Sequence, residues 1–346
     1  MLRFVVRRLA LVVPVLVGLS VLLFLWLRAL PGDPARAMLG QRATPESIAV
    51  VNEQYGFDQP LLQQFLIYAG QLLQGNLGSS TQTGEPVVSS FLLRFPATIE
   101  LSLAALLFAI ILGIPLGYYA ARHNGGILDT FAVGGSLLGV CVPVFFLAYL
   151  LKLVFAVGID LDLGLFNLKD LGFLPSTGRQ SIRMDATHIT NFYVLDGLLT
   201  REWDAMWDAM LHLVLPAIAL GTIPLAIIVR ITRASVIEVI HDDYVRTAEA
   251  KGLAASLIRR RHVLRNAMLP VATTIGLQTG LLFSGAVLTE TVFSFNGIGS
   301  YLFDAIGQLD YAVLQGYILF IALSYALINL LVDISYGLID PRVRVS

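Results

Sequence analysis

The chain has 346 residues, of which 56% are hydrophobic and only 14% charged, with a mean hydropathy of +0.76. Soluble domains carry roughly 25% charged residues, so these values exclude an ordinary soluble protein and point to one whose apolar surface meets lipid. The net charge of −1 argues against a nucleic-acid partner, and the single cysteine, Cys141, excludes an internal disulfide and any multi-cysteine metal site.

Leu9 to Leu30 is the first run able to cross a bilayer, which takes about 20 helical residues. Arg3, Arg7 and Arg8 ahead of it and Ala35-Arg36-Ala37 behind it have the look of a cleavable signal. Its apolar run to Leu27 exceeds the roughly 7–15 residues of a signal core, so a retained span is expected. An outer segment, 31–95, follows. In it Thr44 caps, Pro45 starts and Gly56 ends a short helix. Leu61, Leu62, Phe65, Leu66, Ala69, Leu72 and Leu73 then mark an interfacial or docked amphipathic helix. The second and third spans are read as about Pro96 to Ala121 and Ile127 to Val157. An outer insert, 158–209, carries Trp203 and Trp207 one turn apart, at membrane-interface spacing. The fourth span runs from about Met210 to Val229, the fifth from Ala267 to Leu288 and the sixth from Tyr311 to Leu338, with a charged loop at 230–266. The expected fold is therefore all-α and integral to the membrane, with six transmembrane helices. Its parts are an amino-terminal helix (1–30), an outer segment (31–95) and a five-helix core (96–346).

With the termini, the Arg122 turn and Arg230–Arg265 on one side, that side holds about 14 basic residues and the other about 9 in longer loops. Both termini are accordingly expected in the cytoplasm. A P-loop needs Gly-Lys before Ser or Thr, and none of Lys152, Lys169 and Lys251 follows a glycine. No HExxH or Gly-x-Ser-x-Gly sequence occurs, so neither a metal protease nor a serine hydrolase is indicated. "GGSLLG" at Gly134–Gly139 follows no strand and reads as a close-packing helix face.

Within the spans, Pro115 (with Gly113 and Gly117), Pro143, and Pro224 (with Gly221) are helix-bending positions. Thr274 and Gln278 lie one turn apart on the fifth span with Gly285 beyond. Such a polar stripe either lines a pathway or makes helix–helix hydrogen bonds. Lys152 is expected to snorkel outward, and Glu100, Asp129, Glu290 and Asp333 fall near span ends.

"RTAEAKGLAASLIRRRHVLRNAMLP", Arg246 to Pro270, gathers the basic residues. Asp242 and Asp243 are candidate caps for a helix through Lys251, and Gly252 ends it in a left-handed conformation. A second helix follows, with Ser256 as its candidate cap and Arg259, Arg260 and Arg261 at the lipid headgroups. A short exposed helix between two spans suits insertion into a soluble partner, and a loop that only fixes topology has the same composition.

"YVRTAEAKG" and "RHVLRNAMLP" together resemble the coupling loop of ABC-importer permeases, in their peptide-permease branch. The general pattern there is an acidic residue and two alanines, three residues, then glycine. Counting back from Gly252, Arg246 and Thr247 depart from it while Ala248 agrees, and Arg-Thr-Ala is typical of the peptide branch. "RRLALVVPVLVGLSVLLFLWLRALPGDPA", "YGFDQPLLQQFLIYAGQLLQGNLGSS", "HLVLPAIALGTIPLAIIVRITRAS", "LTETVFSFNGIGSYLFDAI" and "DPRVR" extend the resemblance over nearly the whole chain. The first of these blocks is similar to the amino-terminal helix and turn of the first of the family's two membrane subunits, and the insert after "LPSTG" and the "LGTIPLA" run are most similar to dipeptide permeases.

The resemblance implies a type I ABC-importer permease fold with extra extracytoplasmic helices, in a prokaryotic plasma (inner) membrane. It implies a non-catalytic subunit that pairs with a second permease subunit. Two ATP-binding subunits, which hold the ATP and magnesium, and an extracytoplasmic substrate-binding protein complete the assembly. It places Asp243, Tyr244, Arg246, Thr247, Ala248, Glu249, Ala250, Lys251 and Gly252 against an ATPase subunit. The implied cargo is a dipeptide, with oligopeptide, glutathione or a nickel chelate as alternatives. This chain itself would bind no cofactor or metal. A stand-alone carrier would instead need a charged pair deep in the membrane.

Overall fold

The computed structural model describes residues 2–29, 34–40, 43–158, 161–162, 167–168 and 172–339. The helices of the first third are α1 (Leu2–Ala29), α2 (Pro34–Leu39), α3 (Pro45–Tyr55), α4 (Leu61–Leu73) and α5 (Val87–Arg122). Next come α6 (Ile127–Cys141) and α7 (Val144–Lys152), the latter prolonged by a π turn at Leu153–Val157, then α8 (Tyr193–Thr200) and α9 (Trp203–Ile240). The chain continues through α10 (Asp243–Ala250), α11 (Ala255–Leu257), a π turn at Ile258–Leu264, α12 (Arg265–Phe293), α13 (Ile298–Gly307) and α14 (Tyr311–Ile339). Among the described residues, β structure is confined to the two-residue antiparallel strands β1 (Leu161–Asp162) and β2 (Asn167–Leu168) and one bridge between Ser79 and Pro86.

Four helical stretches, Val6–Trp26, Val87–Arg122, Trp203–Ile240 and Tyr311–Val332, are each long and apolar enough to cross a bilayer. The other two apolar runs are bent. Ile127–Cys141 and Val144–Val157 meet at 101°, with Pro143 at the junction, and Ala255–Phe283 meets Ala286–Phe293 at 54°. Pro115 and Pro224 behave differently, since α5 and α9 run past them as undivided helices. A proline removes one backbone donor, and whether the helix then breaks depends on what packs around the freed carbonyl.

The chain falls into two compact units. One comprises Met1–Pro96 and Asn296–Leu330, the other Ala97–Phe295 and Leu331–Ser346. In the first, α4 docks on α1. Phe24 and Phe65 meet edge to face at 5.2 Å, and Arg28 Nε donates to Gln64 Oε1 at 2.6 Å. Gln64 is buried while Leu61, Leu62, Leu66 and Leu73 point outward, the arrangement of an interfacial helix facing lipid. Thr44 caps α3 through the Ser47 amide, Pro45 opens it, and Gly56 closes it at φ 63°. Elsewhere in this unit Phe91 stacks on Phe320 at 4.6 Å, and Ser80 Oγ donates to Asp310 Oδ2 at 2.5 Å.

In the second unit α9 is the central helix, packed against α6, α7, α8 and α12. Its approach to α5 is set by glycine. A Cβ at Gly117 would lie 2.6 Å from the Val229 carbonyl oxygen, and one at Gly221 would lie 2.8 Å from the Ala105 carbonyl oxygen. Backbones this close leave no room for a side chain, which is how membrane helices gain contact without a hydrophobic driving force. The glycine pair Gly134 and Gly135 does not do this. Among the described residues a Cβ at either would meet nothing within 4 Å, whereas one at Gly139 would touch Thr222 of α9 at 3.7 Å, so the expected packing face of α6 is used only at its Gly139 end.

Candidate functional site

Two regions of the second unit concentrate polar chemistry. The first is built around α10. Asp242 holds the N-cap position in extended backbone, but its side chain makes no capping bond, which corrects the expected role. Gly252 takes φ 72°, the left-handed conformation expected of it, and its amide donates to the Glu249 carbonyl at 2.9 Å. Nothing lies within 4 Å of where its Cβ would be, so glycine is required by the dihedral and not by space. Ser256 lies inside α11, whose N-cap is Ala254, so it is not the cap either.

The helix presents two faces. Val245 and Ala248, three residues apart, are buried in a cluster with Ala121, Val236, Ile258, Val263 and Ala267. Asp243, Tyr244, Arg246, Thr247, Glu249, Ala250, Lys251 and Gly252 are exposed. Of the nine residues singled out from sequence, Ala248 alone faces inward, and Val245, the other anchor, was missed. The Tyr244 hydroxyl accepts from Asn266 Nδ2 at 2.9 Å and donates to the His262 carbonyl at 3.4 Å. Thus α10 is an exposed peg, anchored by an apolar edge and tied to the start of α12.

A clamp braces the same end of the unit. Arg233 on α9 donates through Nε and Nη2 to both carboxylate oxygens of Asp129 on α6, at 2.5 and 2.7 Å, and through Nη2 to Asn124 Oδ1 at 2.8 Å. Asp129 also accepts the Gly125 amide at 2.9 Å. This two-point pairing fixes the α5–α6 turn against α9. Sequence reading placed Asp129 only near a span end, and no local period signals a partner 104 residues away.

The second region lies around the insert. Glu100 on α5 accepts from Arg179 Nη2 at 2.8 Å and from the Val194 amide at the start of α8 at 2.8 Å. The Arg179 guanidinium also donates to the Asn191 carbonyl at 2.7 Å and lies 3.7 Å from the Tyr193 ring centroid. Asp196 accepts from the Thr190 hydroxyl and from the Ile189 and Thr190 amides, and Glu202 accepts from the Thr187 amide and hydroxyl. Burial opposes ionisation of Asp196, but the Thr190, Ile189 and Asn191 donors outweigh it and hold the carboxyl below its usual range. The Thr187 amide and hydroxyl do the same for Glu202. Carboxyls held low stabilise the folded insert above their unfolded pKa and lose that contribution as pH falls through the folded value. Protection of the backbone amides in 187–202, taken relative to the intrinsic exchange rate at each pH, should therefore be unchanged from pH 7 to 5 and fall below the ordinary carboxyl values of 3.8 and 4.5.

The fifth-span residues do not share one environment. Gln278 is buried at 6% exposure, and Thr274 is half-buried with its hydroxyl donating to the Pro270 carbonyl at 2.9 Å. Gly285 lies where α12 bends. Lys152 does not reach outward as expected. Its Nζ donates to the Val292 carbonyl at 2.9 Å, in the last turn of α12, where carbonyls lack an intrahelical partner. Glu290, expected at a span boundary, is fully buried and accepts from Thr98 Oγ1 at 2.5 Å. The Asp333 side chain lies outside the described residues. Among the described residues no group of three or more His, Cys, Asp or Glu is placed to hold a metal ion.

Residues 113–345 match the family described as binding-protein-dependent transport system inner membrane component, and residues 1–103 match its amino-terminal companion. The di/tripeptide transport system permease protein DppB of Pseudomonas aeruginosa is 46% identical over 99% of both chains. The dipeptide transport system permease proteins DppB of Escherichia coli K12 and Alkalihalophilus pseudofirmus are 44% and 41% identical over at least 99% of both chains. With four undivided and two bent apolar stretches and a matching sequence from end to end, the chain belongs to the binding-protein-dependent transport system inner membrane component family, as a multi-pass permease subunit of the ABC-importer type.

Proposed function

We propose that this chain is the membrane subunit of an ATP-driven dipeptide importer, forming the translocation pathway with a second permease subunit. Two ATPase subunits power it from the cytoplasm, and an extracytoplasmic binding protein delivers the cargo. The observation that carries the coupling is the two-faced α10, anchored by Val245 and Ala248 and exposed over Asp243–Lys251. An isolated short helix is marginal in water, so one held out from a membrane domain on a buried edge is suited to seat in a partner's groove. In this reading both termini, the Arg122 turn and 230–266 are cytoplasmic, while 31–95 and 158–209 are extracytoplasmic. ATP and magnesium belong to the partners. The relatives named for dipeptides support that cargo.

Movement of the ATPases would push α10 and, through Tyr244–Asn266 and Arg233–Asp129, shift α12, α9 and the α5–α6 turn together. The bends at Pro143 and Gly285 are where such motion is absorbed. Thr274 faces the pathway in this reading, whereas the buried Gln278 packs between helices. Thr274→Ala should therefore change the KM for dipeptide uptake severalfold with unchanged membrane yield, and Gln278→Ala should lower the yield of folded protein. Uptake and yield unaltered in both variants would remove α12 from the pathway.

The experiment for the whole reading is dipeptide uptake into vesicles containing the full assembly with ATP inside, with and without the ATPase subunits. Uptake that requires both is expected, and uptake that ignores ATP would replace the importer by a carrier.

A further inference from the structure

We propose that Arg260, Arg261 and Arg265 form a binding site for the phosphodiester headgroup of an anionic phospholipid in the leaflet beside α10. With Ser256 and Leu257 they line a concavity of about 580 Å³. The π turn at Ile258–Leu264 makes this possible. It buries Ile258 and Val263 and leaves Arg260, Arg261 and, on the first turn of α12, Arg265 exposed around one hollow.

Two features distinguish this from a merely solvated basic face. Among the described residues, none of the three guanidinium groups has a carboxylate within ion-pair distance, although Arg179 and Arg233 in the same unit are each paired. The hollow is also amphipathic, since Leu257, which lines it beside the arginines, is 41% exposed. A phosphodiester bearing acyl chains satisfies both. Guanidinium forks match phosphate oxygens two at a time, Leu257 meets the glycerol and upper acyl region, and a basic side chain at an anionic membrane surface is worth about fivefold in affinity.

The site has a mechanical consequence. Within the same turn, the His262 carbonyl and Asn266 hold the Tyr244 hydroxyl of α10. A headgroup bound by Arg261 and Arg265 therefore braces the segment through which α10 joins α12. Lipid binding needs only that the chain spans a bilayer, and its effect on coupling rests on the proposed seating of α10.

The test uses the full transporter purified in detergent, with phosphatidylglycerol titrated and retained lipid counted by native mass spectrometry. The variants are Arg265→Gln alone, Arg260→Gln/Arg261→Gln/Arg265→Gln, and the corresponding triple lysine variant, which keeps the charge that fixes topology. Wild type should retain phosphatidylglycerol, the single variant should bind about fivefold more weakly, and the triple glutamine variant should lose it. The lysine variant should lie between them. Equal retention in all four would overturn the proposal, as would displacement of the lipid by inorganic phosphate at millimolar concentration, which would make free phosphate the ligand. Retained lipid with lost ATPase subunits in the glutamine variant would assign the arginines to an acidic protein surface instead. ATPase activity in phosphatidylglycerol and phosphatidylcholine nanodiscs is read separately. Intact lipid binding without lipid-dependent ATPase activity would count against the coupling role of α10 and not against the site.

Discussion

Replacing Gly252 by valine is expected to lower ATP-driven uptake roughly tenfold to a hundredfold while the chain still inserts and folds. Gly252 sits at φ 72°, where a residue with a Cβ pays about 1–3 kcal/mol, and a β-branched one most. Since about 1.4 kcal/mol is a factor of ten in a population, the left-handed stop that ends α10 becomes a minor conformation. The segment then unwinds or runs on toward α11, moving Glu249 and Lys251 off the exposed face. Because nothing lies within 4 Å of the Cβ position, no steric clash confuses the result. Asparagine, which tolerates the left-handed region, should retain much more activity than valine. Uptake and ATPase stimulation by cargo check this directly, and equal activity in the two variants would show that the stop does not matter.

The second large effect is on folding. Gly117→Leu should sharply reduce the yield of folded, detergent-stable protein, whereas Gly134→Leu should leave it unchanged. At Gly117 the new Cβ would meet the Val229 carbonyl oxygen at 2.6 Å and Thr232 Cβ at 2.7 Å, and the first of these is backbone that cannot turn aside. Separating α5 from α9 costs about 1–3 kcal/mol or more, out of a total stability of about 5–15 kcal/mol. Around Gly134 there is open space. Size-exclusion profiles and thermal unfolding of the two variants make the comparison, and equal behaviour would mean that α5 and α9 are not in this close contact.

What could be read from the sequence and what could not divide along a physical line. The spans were legible because lipid demands about 20 apolar residues in a row, and the Thr44–Gly56 helix because its caps are local chemistry. The stop at Gly252 was legible for the same reason, since only a left-handed residue ends a helix there. Pairings across the chain were not. Arg179 with Glu100, Arg233 with Asp129, and Lys152 with the Val292 carbonyl join residues 79 to 140 positions apart, and no periodicity marks them. Prolines were legible as positions but not as outcomes. Pro143 marks a 101° bend, whereas α5 and α9 continue past Pro115 and Pro224. Neighbouring helices decide whether a lost hydrogen bond becomes a hinge. The glycines of α6 divide for a related reason: Gly139 approaches Thr222 of α9 and Gly134 and Gly135 do not, since a small-residue face shows where another helix is able to approach and not whether this chain supplies it.

The coupling role of α10 is tested most directly by cross-linking. With the exposed Cys141 replaced by serine, a cysteine at Glu249 in the assembled transporter should form an ATP-dependent cross-link to a nucleotide-hydrolysing subunit. Labelling of that cysteine only by an impermeant reagent added outside intact cells, or its failure to cross-link to any ATPase subunit, would contradict the assignment.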